Sequence, residues 1–180
     1  LRKQIWITTK SCDHDVAGMQ RKLSQSFERL RTDHVELFFL HNLSDMRLLS
    51  GEMRQAVERL KSSGKIRFFG FSTHAPNVSE ALTHAAGIGW VDAIMFKYNF
   101  RAYGDSELNR AIDTAKAASI GLVAMKTQAS AFSFQKNVDA FQSKGFDKHP
   151  AVLKAVWNDD RIDAAVSEME GRLARMEAIA

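Results

Sequence analysis

Cysteine is almost absent from this chain, and its scarcity excludes several kinds of protein. The 180 residues contain one cysteine, Cys12. A disulfide framework or a cysteine-ligated metal site within the chain is therefore excluded, and a reducing cytoplasm fits. No run approaches the ~18 apolar residues that a membrane span needs. The opening stretch LRKQIWITTK turns polar too soon for a signal peptide. We therefore expect a cytoplasmic protein with no membrane segment.

A strong charge of one sign and glycine-rich phosphate loops are also missing. The chain has 25 basic and 21 acidic residues, a net charge of +4, and no basic cluster interleaved with aromatic residues. We therefore expect no nucleic-acid partner, while weak attraction to an anionic ligand stays open. No G-x-G-x-x-G follows the first apolar run and no G-x-x-x-x-G-K-[ST] occurs, which weakens an open-sheet nucleotide-binding interpretation.

Short apolar runs alternate with segments of helical period along the whole chain. The apolar runs predict strands at 5–9, 35–40, 66–72, 91–99, 121–127 and 161–167. The periodic segments predict helices at 19–30, 52–64, 77–87, 106–118 and 150–160. Asn77 and Glu80 have the spacing of a capping box. Continuous apolar strands between amphipathic helices predict an α/β protein with a parallel sheet.

Two architectures satisfy this alternation, an open doubly wound sheet and a (β/α)8 barrel. The chain has about six βα units, whereas a barrel needs eight units and about 250 residues. The chain also begins at Leu1, close to its first apolar run. We therefore expect residues 1–180 to form most of one barrel domain and to be a fragment of a longer protein.

Polar side chains follow the predicted strands where chemistry is found in parallel α/β proteins. Reading the carboxyl ends in order gives Lys10, His41, Ser72, Asn99 and Lys126. Adjacent strands lie about 4.8 Å apart, so Lys10 and His41 are expected near each other. Spacing alone leaves bland alternatives open, because Lys10 also suits a solvated loop and His41 a packed, hydrogen-bonded ring.

Six segments, taken in order, resemble the aldo-keto reductase family. They are ITTK, LRTDHVELFFLHN, GKIRFFGFSTH, VDAIMFKYNF, GLVAMKT and HPAVLKAVWNDDRIDAAVSEME. The resemblance runs over nearly the whole chain and implies strands three to eight of a (β/α)8 barrel. It also implies an oxidoreductase that transfers a hydride from NADPH to the carbonyl group of a small aldehyde or ketone.

The resemblance implies roles for individual residues. Lys10 matches the lysine of the family's catalytic tetrad and His41 matches its histidine. An ammonium near a tyrosine lowers the pKa of the phenol, and a histidine orients the substrate carbonyl by a hydrogen bond. The positions implied to bind the cofactor are Ser72, Thr73, Met125, Lys126 and Glu177.

The sequence departs from the family pattern at several of these positions. The tyrosine and aspartate of the tetrad belong to units before ITTK, and Tyr98 matches a different tyrosine. Thr73 stands where asparagine is usual, and Met95 stands where a glutamine often binds the nicotinamide amide. A preference for NADPH therefore rests on the resemblance alone, and NADH is the other candidate.

Two functions stay open on the sequence. One is the carbonyl reductase, of which this chain would be a part that lacks the tetrad's tyrosine and aspartate. The alternative is a degenerate, non-catalytic barrel that binds a nucleotide or a protein partner. A barrel of six strands would leave two open sheet edges, and such a chain would need a protein partner, self-association through those edges or a rearranged fold to cover them.

Overall fold

Six parallel strands form the centre of the molecule in the computed structural model, which describes residues 2–127, 143–145 and 148–167. The strands are β1 (Thr8–Ser11), β2 (Val35–Leu40), β3 (Ile66–Thr73), β4 (Ala93–Lys97), β5 (Gly121–Met125) and β6 (Ala164–Ala165). They lie in the sheet in chain order, and every neighbouring pair is parallel. Within the described residues β1 and β6 are the two edges, so the barrel is not closed. The expected α/β class and partial (β/α)8 architecture are confirmed.

Helices connect the strands and cover one side of the sheet. They are α1 (Val16–Leu30), α2 (Gly51–Ser62), α3 (Val78–Ile88), α4 (Ser106–Ala117) and α5 (Lys148–Trp157). Short 3-10 turns occur at Arg2–Gln4, Met46–Leu48 and Phe100–Ala102. In the described ranges no helix is both long and apolar enough to cross a lipid bilayer.

Three helices begin at a side chain that satisfies a free backbone N–H group. Asp15 accepts a hydrogen bond from the Gly18 N–H at 2.8 Å at the start of α1. Ser50 caps α2 and Asp105 caps α4 in the same way. The first turns of these helices are therefore fixed by local sequence. Their N–H groups have no carbonyl partner within the helix, and the N-cap oxygen accepts a hydrogen bond from at least one of them.

The capping box expected at α3 is wrong. Asn77 occupies the N-cap position, but its side chain accepts no backbone hydrogen bond. Its amide instead donates to the Glu80 carboxylate at 3.2 Å. The two side chains that were expected to bind backbone N–H groups bind each other, and Asn77 has a ψ of 38°, outside the extended region usual for a cap.

The side chains of the sheet alternate between two faces, and the helices cover one of them. On this helix face, Phe38, Phe69 and Phe96 are completely buried. They pack with apolar side chains from each of the five described helices in one continuous cluster. Burial of this cluster is the main source of the stability of the molecule.

The opposite face corresponds to the interior of a barrel, and it is called the interior face here. Leu37, Phe39 and Ala93 are buried on it, and Phe68 and Met95 pack against them. The cluster is smaller than the one on the helix face. Polar residues continue the same face beyond this cluster, toward the carboxyl ends of the strands.

Carboxylates at the amino ends of alternate strands bind N–H groups of the preceding strand. The acceptor and donor residues are Glu36 with Ile7, Asp92 with Phe69 and Asp163 with Leu122, each at 2.7 Å. Their cationic partners are Arg2, Lys61 and Lys116, at 2.9, 2.5 and 2.8 Å. This end of the sheet is therefore built for stability, as is usual for the amino-terminal end of barrel strands.

The first and last strands are shorter than their apolar runs predict. β1 begins at Thr8, and Ile5 and Trp6 precede it with 46% and 55% of their surfaces exposed. Trp6 stacks on Phe68 with ring centroids 5.6 Å apart, so it covers part of the interior face from outside the strand. β6 has two residues, although the Asp163 and Val166 N–H groups on either side of it also donate to carbonyls of β5.

Candidate active site

Lys10, His41 and Ser72 lie together at the carboxyl ends of β1, β2 and β3. Lys10 is paired in register with Phe39, a residue of the interior face, and His41 follows two residues later. Ser72 is paired with Met95, which also belongs to the interior face. Strand alternation thus places all three on the interior face, at what is called the carboxyl edge here. The sequence placed these residues at one edge, and their arrangement agrees with that expectation.

The His41 ring is joined to Ser72 by a hydrogen bond. The distance between His41 Nδ1 and Ser72 Oγ is 3.1 Å. The same Oγ accepts a hydrogen bond from the Asn42 N–H at 3.0 Å. Asn42 has a φ of 56°, which turns the chain sharply at the end of β2 and aims its N–H group at Ser72.

The surroundings of His41 keep its imidazole neutral. Partial burial lowers the pKa of the ring below its usual value, and the positive charge of Lys10 lowers this pKa further. Smaller contributions in the same direction come from His74 and His14. At neutral pH the ring therefore has one nitrogen that donates and one that accepts a hydrogen bond.

Two further histidines surround His41, and sequence reasoning missed both. His14 Nε2 donates to the backbone carbonyl of His41 at 2.7 Å. The His74 ring meets the His41 ring edge-on with centroids 6.2 Å apart. The available signal was their place in the sequence, since each lies in the loop directly after a strand. Among the described residues no group of three or more His, Cys, Asp or Glu is placed to hold a metal ion.

The ends of β4 and β5 add an amide, a thioether and an ammonium to the carboxyl edge. The Asn99 side chain is buried, and its amide donates to the Lys126 carbonyl at 3.2 Å. Met125 is buried at the last position of β5. Lys126 follows with a φ of 56° and an exposed side chain. Asn99 therefore fixes the turn that presents Lys126.

Two of the residues implied to bind a cofactor lie apart from this group or outside the described ranges. Thr73 is paired with Phe96, a residue of the helix face, and its side chain is completely buried. Its hydroxyl accepts a hydrogen bond from the Ala75 N–H at 3.1 Å, which stabilises the loop after β3. Glu177 lies outside the described residues.

The only tyrosines of the chain point away from the carboxyl edge. Tyr98 is 1% exposed on the helix face, and its hydroxyl donates to Asp159 at 2.5 Å. Burial, together with the Asp159 carboxylate, raises the pKa of the Tyr98 phenol well above its usual value. Tyr103 donates its hydroxyl to the Ala155 carbonyl. Neither phenol is placed to protonate a molecule bound beside His41.

Asp159 links three parts of the molecule through ion pairs and hydrogen bonds. Its carboxylate binds the Arg161 guanidinium through two contacts of 2.8 and 2.7 Å. Arg161 reaches onward to Asn109 and Asp113 on α4. The Arg161 guanidinium, with help from the Tyr98 hydroxyl, lowers the pKa of Asp159 to about 2. This cluster has a structural role, because it joins β4, α4 and the loop before β6.

Comparison with known proteins shows to which family this chain belongs. The model of the aldo/keto reductase family matches residues 1–180, the whole chain. The chain belongs to the aldo/keto reductase family. No curated protein sequence gives a significant match.

Solved structures of aldo/keto reductases share the fold of this family member. The holo form of aldo-keto reductase AKR11C1 from Bacillus halodurans superposes with a TM-score of 0.78 at 19% identity. A protein from Pseudomonas aeruginosa described as an aldo-keto reductase gives 0.74 at 22%, and aldose reductase from Giardia lamblia gives 0.74 at 17%. Each comparison covers 99% of this chain and 66% of the other, so the chain spans just under two thirds of these relatives.

The residues at the carboxyl edge fit a nicotinamide nucleotide in chemical character. A hydroxyl can make three hydrogen bonds, and the buried Ser72 hydroxyl has two partners, so one position remains for a carboxamide group. Met125 offers an apolar thioether surface to a ring, and Lys126 offers an ammonium to a phosphate. The donor set therefore matches an amide, an aromatic ring and an anion, in that order along the edge.

Proposed function

We propose that this aldo/keto reductase domain reduces the carbonyl group of a small aldehyde or ketone with a hydride from NADPH, with NADH as the other candidate donor. The observation that supports this proposal most strongly is the hydrogen-bonded His41–Ser72 pair on the interior face beside Lys10. A neutral imidazole held at the carboxyl end of a parallel strand is suited to bind a carbonyl oxygen.

Each polar group of the edge has a distinct task in this proposal. NADPH, when bound, supplies the hydride. His41 donates a hydrogen bond from Nε2 to the substrate oxygen and orients the carbonyl. The Lys10 ammonium stabilises negative charge on that oxygen and on the group that delivers its proton.

In this proposal the proton comes from a residue other than Tyr98 and Tyr103. Tyr98 and Tyr103 are both occupied in the contacts of the helix side. The family resemblance implies a tyrosine and an aspartate from two further βα units, which the longer relatives have room for. We therefore assign the donor to a segment of a longer natural chain, and Lys10 to lowering the pKa of that donor.

The cofactor residues form a second part of the proposal. Ser72 is assigned to the carboxamide, Met125 to the nicotinamide ring and Lys126 to a phosphate. Thr73 acts indirectly, by holding the loop after β3 through Ala75. Glu177 is assigned to the adenosine end on the family resemblance alone.

The test is steady-state kinetics on the longest natural chain that contains residues 1–180. With NADPH and a panel of aldehydes and ketones, His41→Ala should lower kcat by about 10²–10³-fold, because one donor to the developing oxyanion is lost. The dissociation constant of NADPH, measured by fluorescence titration, should stay within a few-fold of wild type. Equal losses in kcat and in NADPH affinity would argue against this role for His41.

A second variant and a control complete the experiment. Lys10→Met should lower kcat by about 10²–10⁴-fold, the range of a lost acid–base contribution. Ser26→Ala removes a half-buried hydroxyl of α1 that contacts Thr9 on the helix face of the sheet, and it should leave both constants unchanged. If NADPH binds but no carbonyl compound is reduced, the proposal fails and a non-catalytic nucleotide-binding barrel takes its place. That alternative is favoured by the engagement of both tyrosines elsewhere.

We also propose a cytoplasmic location, on the basis of the low cysteine content of the chain. Cys12, the single cysteine, is exposed and unpaired, which suits a reducing compartment where NADPH is held reduced. Fractionation of the source cells should place the protein with other cytoplasmic enzymes.

A further inference from the structure

The Ser72 hydroxyl occupies an unusual position for a group expected only to contact a cofactor. Ser72 is 2% exposed, and its oxygen lies between His41 Nδ1 at 3.1 Å and the Asn42 N–H at 3.0 Å. Both partners belong to the end of β2, whereas Ser72 belongs to β3. The hydroxyl therefore joins two neighbouring strand ends at the point where the His41 ring is held.

Counting hydrogens at this oxygen determines the direction of the bond to His41. The Asn42 N–H can only donate, so Ser72 Oγ is an acceptor in that contact. If His41 Nδ1 also donated to Oγ, the hydroxyl hydrogen of Ser72 would need another acceptor, and the described residues offer none. A buried hydroxyl without an acceptor is unfavourable. Ser72 must therefore donate its hydrogen to His41 Nδ1.

A ring that accepts at Nδ1 has its own hydrogen on Nε2 when it is neutral. Partial burial lowers the pKa of the His41 ring, and the titratable groups that face the ring lower this pKa further, so the neutral ring is favoured. These groups are Lys10 at the end of β1, His14 in the loop after β1 and His74 after β3. His14 also holds the backbone of His41 through the hydrogen bond to its carbonyl. The backbone of His41 thus fixes the position of the ring, and the hydrogen bond with Ser72 fixes which ring nitrogen carries the hydrogen.

We propose that Ser72 is a positioning residue that fixes His41 as the tautomer with its hydrogen on Nε2. In this form Nε2 donates a hydrogen bond to a carbonyl oxygen without transferring its proton. The use of Nε2 by a substrate rests on the proposed function, whereas the tautomer does not. The remaining lone pair of Ser72 leaves a contact to a carboxamide compatible with this role.

Long-range ¹H–¹⁵N spectra of the histidine rings test the tautomer directly. In the wild-type chain at neutral pH, His41 should show the nitrogen shifts of a neutral ring with Nε2 protonated and Nδ1 unprotonated. Ser72→Ala should shift these signals toward a mixture of the two tautomers. Ser72→Thr keeps the hydroxyl and should preserve the wild-type pattern. A wild-type ring protonated mainly on Nδ1 overturns the proposal, and this result needs no variant to fold.

Kinetics separate this role from a contact to the cofactor alone. In the natural enzyme, Ser72→Ala should lower kcat at least tenfold. The loss of its contact to the carboxamide should raise the dissociation constant of NADPH as well, by about two- to tenfold. The same substitution in a His41→Ala background should have little further effect, because the group that it positions is gone. A higher NADPH dissociation constant with an unchanged kcat and an unchanged His41 tautomer would overturn the proposal.

The two kinds of measurement keep the two proposals apart. If no carbonyl compound is reduced but His41 shows the Nε2 tautomer that depends on Ser72, the reductase function fails and the positioning role of Ser72 stands. Ser26→Ala serves as the control in both arms, since its hydroxyl bonds within α1 and to Thr9. It should leave the His41 spectrum unchanged.

Discussion

Gly70 shows how one missing side chain shapes the interior face of the sheet. A Cβ atom at this position would lie 2.0 Å from the Ala93 carbonyl oxygen and 2.7 Å from the ring of Phe39. The hydrogen atom of glycine leaves that room free, so β4 and the ring of Phe39 approach β3 closely. Gly70 is paired in register with Phe39, so Ser72, two residues further along β3, lies level with His41.

Gly70→Ala should therefore lower the free energy of unfolding by about 3 kcal/mol, the upper part of the range for overpacked sites. The measurement is urea denaturation followed by circular dichroism. Gly121→Ala is the matched control on β5, because its Cβ would meet its nearest atom only at 3.5 Å. The control should change the unfolding free energy by less than about 0.5 kcal/mol. Equal effects of the two substitutions would contradict the steric argument.

At the scale of elements, the amino ends of the strands are held by one repeated arrangement. A carboxylate at the start of β2, β4 or β6 accepts a backbone N–H from the preceding strand and pairs with a lysine or arginine. In the case of Asp92, the N–H belongs to Phe69 and the cation is Lys61. A substitution at Asp92 can therefore remove the charge of the side chain and still keep an oxygen that accepts the hydrogen bond.

Asp92→Ala should lower the free energy of unfolding by about 1–3 kcal/mol, because the Phe69 N–H loses a charged acceptor. Asp92→Asn keeps an oxygen for that N–H and should lose less than about 1 kcal/mol, the usual range for a partly exposed ion pair. Chemical denaturation measures both. Glu52→Gln on the exposed face of α2 is the control. If the asparagine variant loses as much as the alanine variant, the ion pair with Lys61 is the more important contact.

The elements themselves were largely predictable from the sequence, and the exceptions have physical causes. β2 runs from Val35 to Leu40 as its apolar run predicts, because both of its faces are buried. β1 starts three residues later than predicted, since Trp6 packs on Phe68 from outside the sheet. A stacking contact with a residue 62 positions away leaves no trace in local periodicity.

The candidate site was predictable in its placement but not in its bonding. Strand order puts Lys10, His41 and Ser72 at one edge, and this follows from the sequence once the sheet is parallel. The contact between Ser72 and His41 Nδ1 was not foreseen, and neither was the approach of His14 and His74. Those contacts depend on the turn at Asn42, whose positive φ the sequence does not reveal.

At the scale of the whole molecule, the Asp159 cluster ties β4, α4 and the last described strand together. The pKa of Asp159 is lowered to about 2 in the folded chain, below its value of 3.8 when exposed. A carboxylate whose pKa is depressed by folding stabilises the fold above pH ~4, and this contribution is lost as the pH falls toward ~2.

Asp159→Asn should therefore destabilise the chain at pH 7 and weaken the dependence of its unfolding free energy on pH between ~4 and ~2. Denaturation curves across this pH range measure both effects. Asp113→Asn is the control, because Asp113 also contacts Arg161 but 63% of its side chain is exposed. It should leave the pH dependence close to wild type.

The isolated 180-residue chain should also self-associate, because β1 and β6 are unpaired edges within its described residues. Sedimentation velocity at rising protein concentration should show a shift from monomer to larger species. Thr8→Lys places a charge on the β1 edge and should reduce that shift. A wild-type chain that stays monomeric throughout would contradict a role for these edges.

The most direct test of the whole account is turnover by the longest natural chain that contains these residues. NADPH consumption and alcohol formation are measured together with a panel of aldehydes and ketones. A carbonyl reductase should form alcohol in equal molar amount to the NADPH consumed, at a rate that depends on the carbonyl compound. Binding of NADPH without any alcohol formed would contradict this function and would identify a barrel that binds the nucleotide without catalysis.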